Sequence, residues 1–462
     1  MMKNIDLIAN QVYTVEIFDS ALPDGYGVAK YDNFIIFVPG ALPGEKVKVK
    51  ISKITKSFAY GEIMEIIEKS PFEIQSPCPN HSNLCGGCLL INLDYQVQLN
   101  FKKKHLTDTL AKIGSIDRNK LTNINIIPSP DIYFYRNKME FSFGEHEGKL
   151  ILGLRERVSP LTDFQGKVIN ITDCAIFSPK LAQIFDFFTR ELNKLGLKAY
   201  NLITGKGFLR NLVIREAKNT GEIMVILSTA QGEIPEINRL AEKLFDTIKE
   251  IKSFYFVENK KQGNLFVYDK IKYTHGSDFI IEKLGDLLFH IYPDTFFQPN
   301  TKIAQIMYET VTRIISEQNK KHILGLYCGS GTMELFLAKN IISVTGIDCS
   351  AKNISAALDN ARINNIYNTL FYKTKTENFQ GFGKSNYDAV IVDPPRSGLS
   401  GKTINLLSKS NINTILYLSC NPSTLARDVK TFKGKGFLVR DIDSFDQFPH
   451  TGHLETLITL NR

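Results

Sequence analysis

The 462-residue chain has no run of about 18 consecutive apolar residues, which excludes a membrane-spanning helix. The segment opening Met1-Met-Lys-Asn-Ile-Asp lacks an apolar stretch, so no secretory signal is expected. There is no internal repeat and no low-complexity tract. Tryptophan is absent, and no class of protein is excluded by that. A large charge excess is missing too: Lys+Arg 56 against Asp+Glu 48 leaves +8, which permits a polyanionic partner without proving one. The seven cysteines are an odd number in a chain without a signal, so they are read as thiols of a reducing cytoplasm, binding metal or doing chemistry. What is present, 43% apolar, 23% charged and 11% aromatic residues, is the composition of a soluble globular protein and excludes a disordered, fibrous or collagen-like chain. At roughly 100–200 residues per domain, the length suggests two to four domains.

Residues 8–68 carry short β-forming runs: Val12-Tyr-Thr-Val-Glu-Ile-Phe, Gly27-Val-Ala-Lys-Tyr, Phe34-Ile-Ile-Phe-Val, Lys46-Val-Lys-Val-Lys-Ile and Gly61-Glu-Ile-Met-Glu-Ile-Ile. Gly/Pro turns separate them, which predicts a five-stranded barrel of the OB type over residues 1–70. The strict alternation from Lys46 to Ile51 puts three lysines on one face, either a solvated edge or a surface that tracks an RNA backbone. Residues 71–93 form a Pro- and Cys-containing loop. A helix follows from Asp94, to about residue 120 at most, with Leu99, Leu106 and Leu110 at helical spacing and a basic patch Lys102-Lys-Lys. The remainder of residues 71–285 reads as a mixed α/β central domain, with Ile124–Ile127 among its strands and helices over Ser178–Leu195 and Ile234–Ile251. From residue 286 to 462 compact apolar strands alternate with helices, which predicts a doubly wound parallel sheet.

In that last part a strand runs into Tyr327-Cys-Gly-Ser-Gly-Thr332 and then a helix. Gly329 and Gly331 let the backbone approach a ligand closely. The next strand ends in Asp348, placed to accept the ribose hydroxyls of an adenosine ligand. A dinucleotide fingerprint would want a third glycine where Glu334 stands, and the Gly-Lys-Ser/Thr of a phosphate loop is missing. S-adenosylmethionine has no pyrophosphate to cradle, so the departure favours it over NAD or ATP. A further strand delivers Asp393-Pro-Pro-Arg396, where aminomethyltransferases carry an aromatic in place of the arginine.

Tyr417-Leu-Ser-Cys420-Asn-Pro puts a cysteine at a strand tip on the same sheet edge. A thiolate and a methyl donor together suit methylation of pyrimidine carbon 5. Addition at carbon 6 makes the ring nucleophilic, and a base then removes the carbon 5 proton. Glu455, in Phe448-Pro-His-Thr-Gly-His-Leu-Glu, is the candidate base; His450 and His453 are rivals whose plainer role is hydrogen bonding around the turn. Cys78, Cys85, Cys88 and Cys174 can supply four thiolates to zinc or to an iron–sulfur cluster. An adenine-N6 methyltransferase would use a similar Asp-Pro-Pro without needing Cys420. A non-catalytic iron–sulfur RNA-binding protein is the remaining alternative.

Five motifs occur in a family's order: Asp294-Thr-Phe-Phe-Gln298-Pro-Asn, Leu326-Tyr-Cys-Gly-Ser-Gly, Asp393-Pro-Pro-Arg, Leu418-Ser-Cys-Asn-Pro-Ser-Thr-Leu-Ala-Arg-Asp and Phe448-Pro-His-Thr-Gly-His-Leu-Glu. With them the chain resembles the bacterial S-adenosylmethionine-dependent RNA uracil-5-methyltransferases, most of all the 23S rRNA branch with a TRAM domain and an iron–sulfur cluster. The resemblance implies a Rossmann-like methyltransferase domain, an N-terminal TRAM barrel and a mixed α/β central domain. It makes Cys420 the nucleophile and Glu455 the base. It makes Gln298, Tyr327, Asp348 and Asp393 ligands of the methyl donor, with Thr332 standing where some members have a cofactor-contacting Asn. Tyr135-Arg136-Asn-Lys-Met-Glu-Phe resembles the central strand that meets RNA. The helix after Asp94 is implied to pack back on the catalytic domain. The cysteines, at C-x6-C-x2-C where the family has C-x5-C-x2-C, are implied to hold a structural [4Fe–4S] cluster. The implied partner is 23S rRNA rather than tRNA, because tRNA-specific relatives typically lack the barrel and the cysteines. A cytoplasmic monomer is the default.

Overall fold

The structure is a computed structural model. It describes residues 7–80, 85–157, 167–261, 263, 266–383 and 387–462, and every statement of absence below concerns those residues. The opening residues read for a secretory signal lie outside them.

Strands β1 (Val12–Ala21), β2 (Tyr26–Tyr31), β3 (Phe34–Val38), β4 (Lys46–Ile54) and β5 (Phe58–Glu68) close into a barrel in the order β1-β2-β3-β5-β4. Val47, Val49 and Ile51 of β4 are fully buried, as the alternation predicts. The outward lysines do not form a bare basic face. Lys48 pairs with Glu65 at 2.7 Å and Lys46 with Glu68 at 3.4 Å, across the β4–β5 ladder.

Helix α1 (Tyr95–Lys112) is capped by the Asp94 carboxylate, which accepts from the Val97 amide. Leu106 and Leu110 enter a core shared with Leu425, Val429 and Phe432 of the C-terminal part, so α1 packs there. The basic patch is not wholly a solvent face: Lys102 is buried in an ion pair with Asp446, and the exposed Lys104 pairs with Asp19. Strand β6 (Asn125–Ile127) is expected in the central domain. It instead adds a parallel edge strand to the C-terminal sheet.

The central sheet has the order β13-β12-β11-β10-β7-β8-β9. Its strands are β7 (Lys138–His146), β8 (Lys149–Arg155), β9 (Val168–Asn170), β10 (Leu209–Glu216), β11 (Ile223–Thr229), β12 (Ile251–Glu258) and β13 (Lys270–Gly276). Helices α2 (Leu181–Lys194) and α3 (Ile237–Thr247) share one apolar core with it. Helix α3 stops short of the expected Ile251, which is the first residue of β12 and pairs with Ile223. A hairpin, β14 (Ile280–Leu284) and β15 (Leu287–Ile291), straddles the expected boundary at residue 285.

The C-terminal sheet has the order β18-β17-β16-β19-β20-β22-β21-β6. Its elements are α4 (Thr301–Glu317), β16 (His322–Leu326), α5 (Thr332–Ala338), β17 (Ser343–Asp348), α6 (Ala351–Ile363), β18 (Thr369–Lys373), β19 (Ala389–Val392), α7 (Gly401–Lys409), β20 (Thr414–Ser419), α8 (Pro422–Lys433), β21 (Leu438–Phe445) and β22 (Glu455–Asn461). From β18 to β20 the strands are parallel, and the order reverses between β16 and β19, which opens a crevice at their carboxyl ends. The sheet is not parallel throughout, because β22 runs antiparallel between β20 and β21. Helix α4 is absent from the expectations. Its signal is nevertheless there: an Asn300 cap, then Ile303, Met307, Val311 and Ile314 buried on one face.

Candidate active site

The glycine turn after β16 is built from left-handed backbone. Tyr327 has φ 63°, Gly329 54° and Gly331 75°. An aromatic residue there is strained, and the strain lies at the mouth of the crevice. A Cβ on Gly331 would lie 2.9 Å from the Ala357 Cβ, so only glycine lets α5 close on α6. Above Gly329 there is room: a Cβ there would meet only Phe296, at 3.9 Å. Asp348, at the end of β17, takes the Gly329 amide at 3.1 Å, the Ser350 amide at 2.7 Å and the Asn353 side chain at 3.2 Å. Thr332 is buried with its hydroxyl 3.1 Å from that of Tyr308, a bond that occupies the side chain.

Asp393 follows β19, and its amide reaches the Leu326 carbonyl at 3.4 Å, which sets it beside the glycine turn. Its carboxylate accepts from Gln298 Nε2 at 3.1 Å. Gln298 is buried and held from several sides. Asn137 donates to its carbonyl at 2.7 Å, and Gln447 donates to its Oε1 at 2.8 Å. The buried Arg215 of the central sheet binds the carbonyls of Tyr292 and Thr295, which fixes the segment leading to Gln298.

The antiparallel β20–β22 register pairs Thr414 with Asn461 and Ser419 with Thr456. The next positions in that register are Cys420 and Glu455. Two residues distant in sequence therefore meet at the tip of neighbouring strands, and Glu455 acts electrostatically on Cys420. Burial pushes the Cys420 thiol up to about 11, Glu455 adds to the rise, and the Arg396 guanidinium beside it pulls the other way. Burial also raises Asp393 to about 7. It carries Glu455 well above the usual carboxylate range, and Asp393 adds to that. The two carboxyls titrate as a pair.

His450 and His453 are not poised as bases. Burial lowers both to about 4, helped at His453 by the positive charge of Arg396. His450 is a bracket: Gln98 accepts from its amide at 3.0 Å and approaches its Nδ1 at 3.2 Å, and its carbonyl accepts from Leu90. The turn before Glu455 is thus anchored on α1 and on the cysteine loop.

Cys78, Cys85, Cys88 and Cys174 line one cavity, together with Asn80, whose amide fixes Asp173. Burial raises the Cys85 and Cys88 thiols and takes Cys174 to about 11. No group of three His, Cys, Asp or Glu side chains among the described residues is arranged to hold a single metal ion. Gln447 is absent from the expectations; Arg396 enters them only within the Asp393-Pro-Pro-Arg motif, as a departure from aminomethyltransferases, and Asn137 only within the run Tyr135–Phe141.

Residues 268–462 match the family described as tRNA (Uracil-5-)-methyltransferase, and residues 9–64 match the TRAM domain. A protein of Halalkalibacterium halodurans described as an uncharacterized RNA methyltransferase is 33% identical over 457 residues, covering 98% of this chain and 97% of its own. Another so described, from Caldanaerobacter subterraneus subsp. tengcongensis, is 34% identical over 459 residues, covering 98% and 99%. The crystal structure of the Pyrococcus abyssi tRNA (uracil-54, C5)-methyltransferase with S-adenosyl-L-homocysteine superposes with a TM-score of 0.78 at 28% identity, over 96% of this chain and all of that one. The chain belongs to the RNA uracil-5-methyltransferase family, as an S-adenosylmethionine-dependent member with a TRAM barrel. Among the described residues, no helix is long and apolar enough to cross a membrane.

Proposed function

We propose that the protein forms 5-methyluridine in 23S rRNA. The observation that carries the chemistry is the register that brings Cys420 and Glu455 together beside Asp393. Bound S-adenosylmethionine supplies a methyl group as an electrophile. Gln298, Tyr327, Gly329, Gly331, Thr332, Asp348 and Asp393 are proposed to hold it. The open space over Gly329 and the carboxylate of Asp348 suit an adenosine ligand.

The Cys420 sulfur adds to uracil carbon 6, so an S–C bond forms and carbon 5 gains the electron pair that takes up the methyl group. Glu455 then takes the carbon 5 proton. The electron pair of the broken carbon 5–hydrogen bond re-forms the ring double bond and expels Cys420 as a thiolate, the methyl donor having left as its thioether. The Arg396 guanidinium favours the thiolate at both ends of this sequence. A carboxylate with a raised proton affinity is the stronger base, which suits Glu455 to its part.

Cys78, Cys85, Cys88 and Cys174 are proposed to hold a [4Fe–4S] cluster that pins the cysteine loop to the central sheet. The four thiols line one cavity, and among the described residues no three such side chains are arranged around a single metal ion. That suits a polynuclear cluster better than a lone zinc with ligands at about 2.3 Å. The proposed organisation keeps three parts: the barrel, a central domain with the cysteines, and the methyltransferase domain.

The choice of 23S rRNA rests on the resemblance to the branch combining barrel and cysteines. The second reading, tRNA, is favoured by the likeness to the archaeal tRNA enzyme. That likeness covers 96% of the chain, so it extends into the barrel, and the barrel alone does not separate the two substrates. Unmodified transcripts of 23S rRNA and tRNA, incubated with labelled methyl donor and mapped by mass, decide between them. One methylated uridine in 23S rRNA is the expected result; methylation confined to tRNA would overturn the choice of substrate.

A further inference from the structure

Gln447 has no part in the chemistry above, yet it is fully buried one residue after the buried Lys102–Asp446 ion pair. Its Nε2 donates to Gln298 Oε1 at 2.8 Å, and Gln298 Nε2 donates to Asp393 Oδ2 at 3.1 Å. With Asp393 ionised, the polarity of this relay is fixed. An ionised carboxylate only accepts, so Gln298 must turn its NH2 to Asp393 and its oxygen to Gln447, which must then donate. Gln447 Oε1 is left buried without a partner among the described residues. Leaving a buried acceptor unmade is unfavourable, and an apolar side chain would avoid it. The amide is therefore kept for its donor side. Its backbone is fixed from outside the sheet: Asp446 accepts from Lys102 Nζ at 2.6 Å and from the Tyr95 hydroxyl at 2.9 Å, both on α1.

We propose that Gln447 is a positioning residue for the methyl donor: it locks the Gln298 amide so that Asp393 is held as a hydrogen-bond acceptor facing the crevice. The inference rests on the assignment of Gln298 and Asp393 to the methyl-donor site, and not on the choice of RNA or of the reacting carbon. Without Gln447, the Gln298 amide is free to rotate and present its oxygen to Asp393, which favours the protonated carboxyl. The groups facing Asp393 are Glu455 from β22, Glu334 from α5, Tyr308 from α4 and Cys420 beyond β20. None of these is a cation; burial pushes Asp393 up, and among the described residues the side chain that donates to its carboxylate is that of Gln298.

The test is calorimetric titration of S-adenosylmethionine into the full chain between pH 5.5 and 8.5, with wild type, Gln447→Met and Gln447→Glu compared at matched melting temperatures. Methionine is close in volume and removes the donor; glutamate turns the contact to Gln298 into an acceptor. Both variants are expected to bind about tenfold more weakly at neutral pH. The acid limb of binding is expected to move to higher pH, more so for Gln447→Glu. Weaker binding with an unmoved acid limb would overturn the proposal in favour of a merely structural role, and unchanged affinity in both variants would overturn it outright. A wild type that binds S-adenosylmethionine but methylates no uridine would remove the proposed reaction and leave this inference standing.

Discussion

Cys420 carries a tension between two demands. As the proposed nucleophile it must be a thiolate to add to carbon 6, yet burial and the neighbouring carboxyl Glu455 hold its proton, with a midpoint pushed up to about 11. Arg396 is the group that opposes them. Replacing it by glutamine raises the midpoint further, so methyl transfer at pH 8 is expected to fall by roughly an order of magnitude and to recover as pH rises, the thiolate fraction being what was lost. A pH–rate profile of Arg396→Gln beside wild type checks this; parallel profiles would contradict it. Cys420 and Glu455 are legible in the sequence because a cysteine at a strand tip and a carboxylate heading the last strand are local signals. Gln447 and Asn137 are not, because their meaning comes from contacts to Gln298 across 149 and 161 residues.

Helix α1 shows how an element can be read correctly in type and wrongly in surface. Its cap and its leucines are legible, and the family resemblance anticipates where it packs. The Lys102-Lys-Lys run looks solvated, but Lys102 lies with no exposed side chain against Asp446, itself without exposure. Truncating one member of such a pair leaves a buried charge, so Lys102→Met is expected to lower stability by about 3–5 kcal/mol, read from urea denaturation. A loss under about 1 kcal/mol would mean that Asp446 finds water or another donor. Strand β6 was misplaced for a related reason. Three residues hold no information about which sheet they will join, and β6 pairs with β21, more than 300 residues away. Strands β16, β17, β19 and β20 are legible because each is a compact apolar run with a buried centre, whereas β18, largely exposed, is not among the expectations.

Over the whole molecule, the cysteine loop and the turn before Glu455 are joined. The Leu90 amide donates to the His450 carbonyl, and Gln98 holds both Leu90 and His450. A group that pins Cys78, Cys85, Cys88 and Cys174 therefore supports the turn that carries Glu455. Protein purified without oxygen is expected to hold about four irons and four sulfides per chain, and Cys88→Ser to lose them along with most activity. One zinc per chain in place of iron would contradict the cluster. The sequence offers the four cysteines as possible thiolate donors, but Cys174 lies on the central domain, far from the other three in sequence, and it is the fold that brings them around one cavity.

The measurement that bears most directly on the central claim uses RNA tritiated at uracil carbon 5. Wild type is expected to release tritium to water in step with methyl uptake, and Cys420→Ala to do neither. Glu455→Gln should take up the methyl group yet retain both the tritium and a covalent bond to the RNA, seen as a retarded band on a denaturing gel. Methyl uptake without tritium release, or uptake that survives Cys420→Ala, would contradict the account.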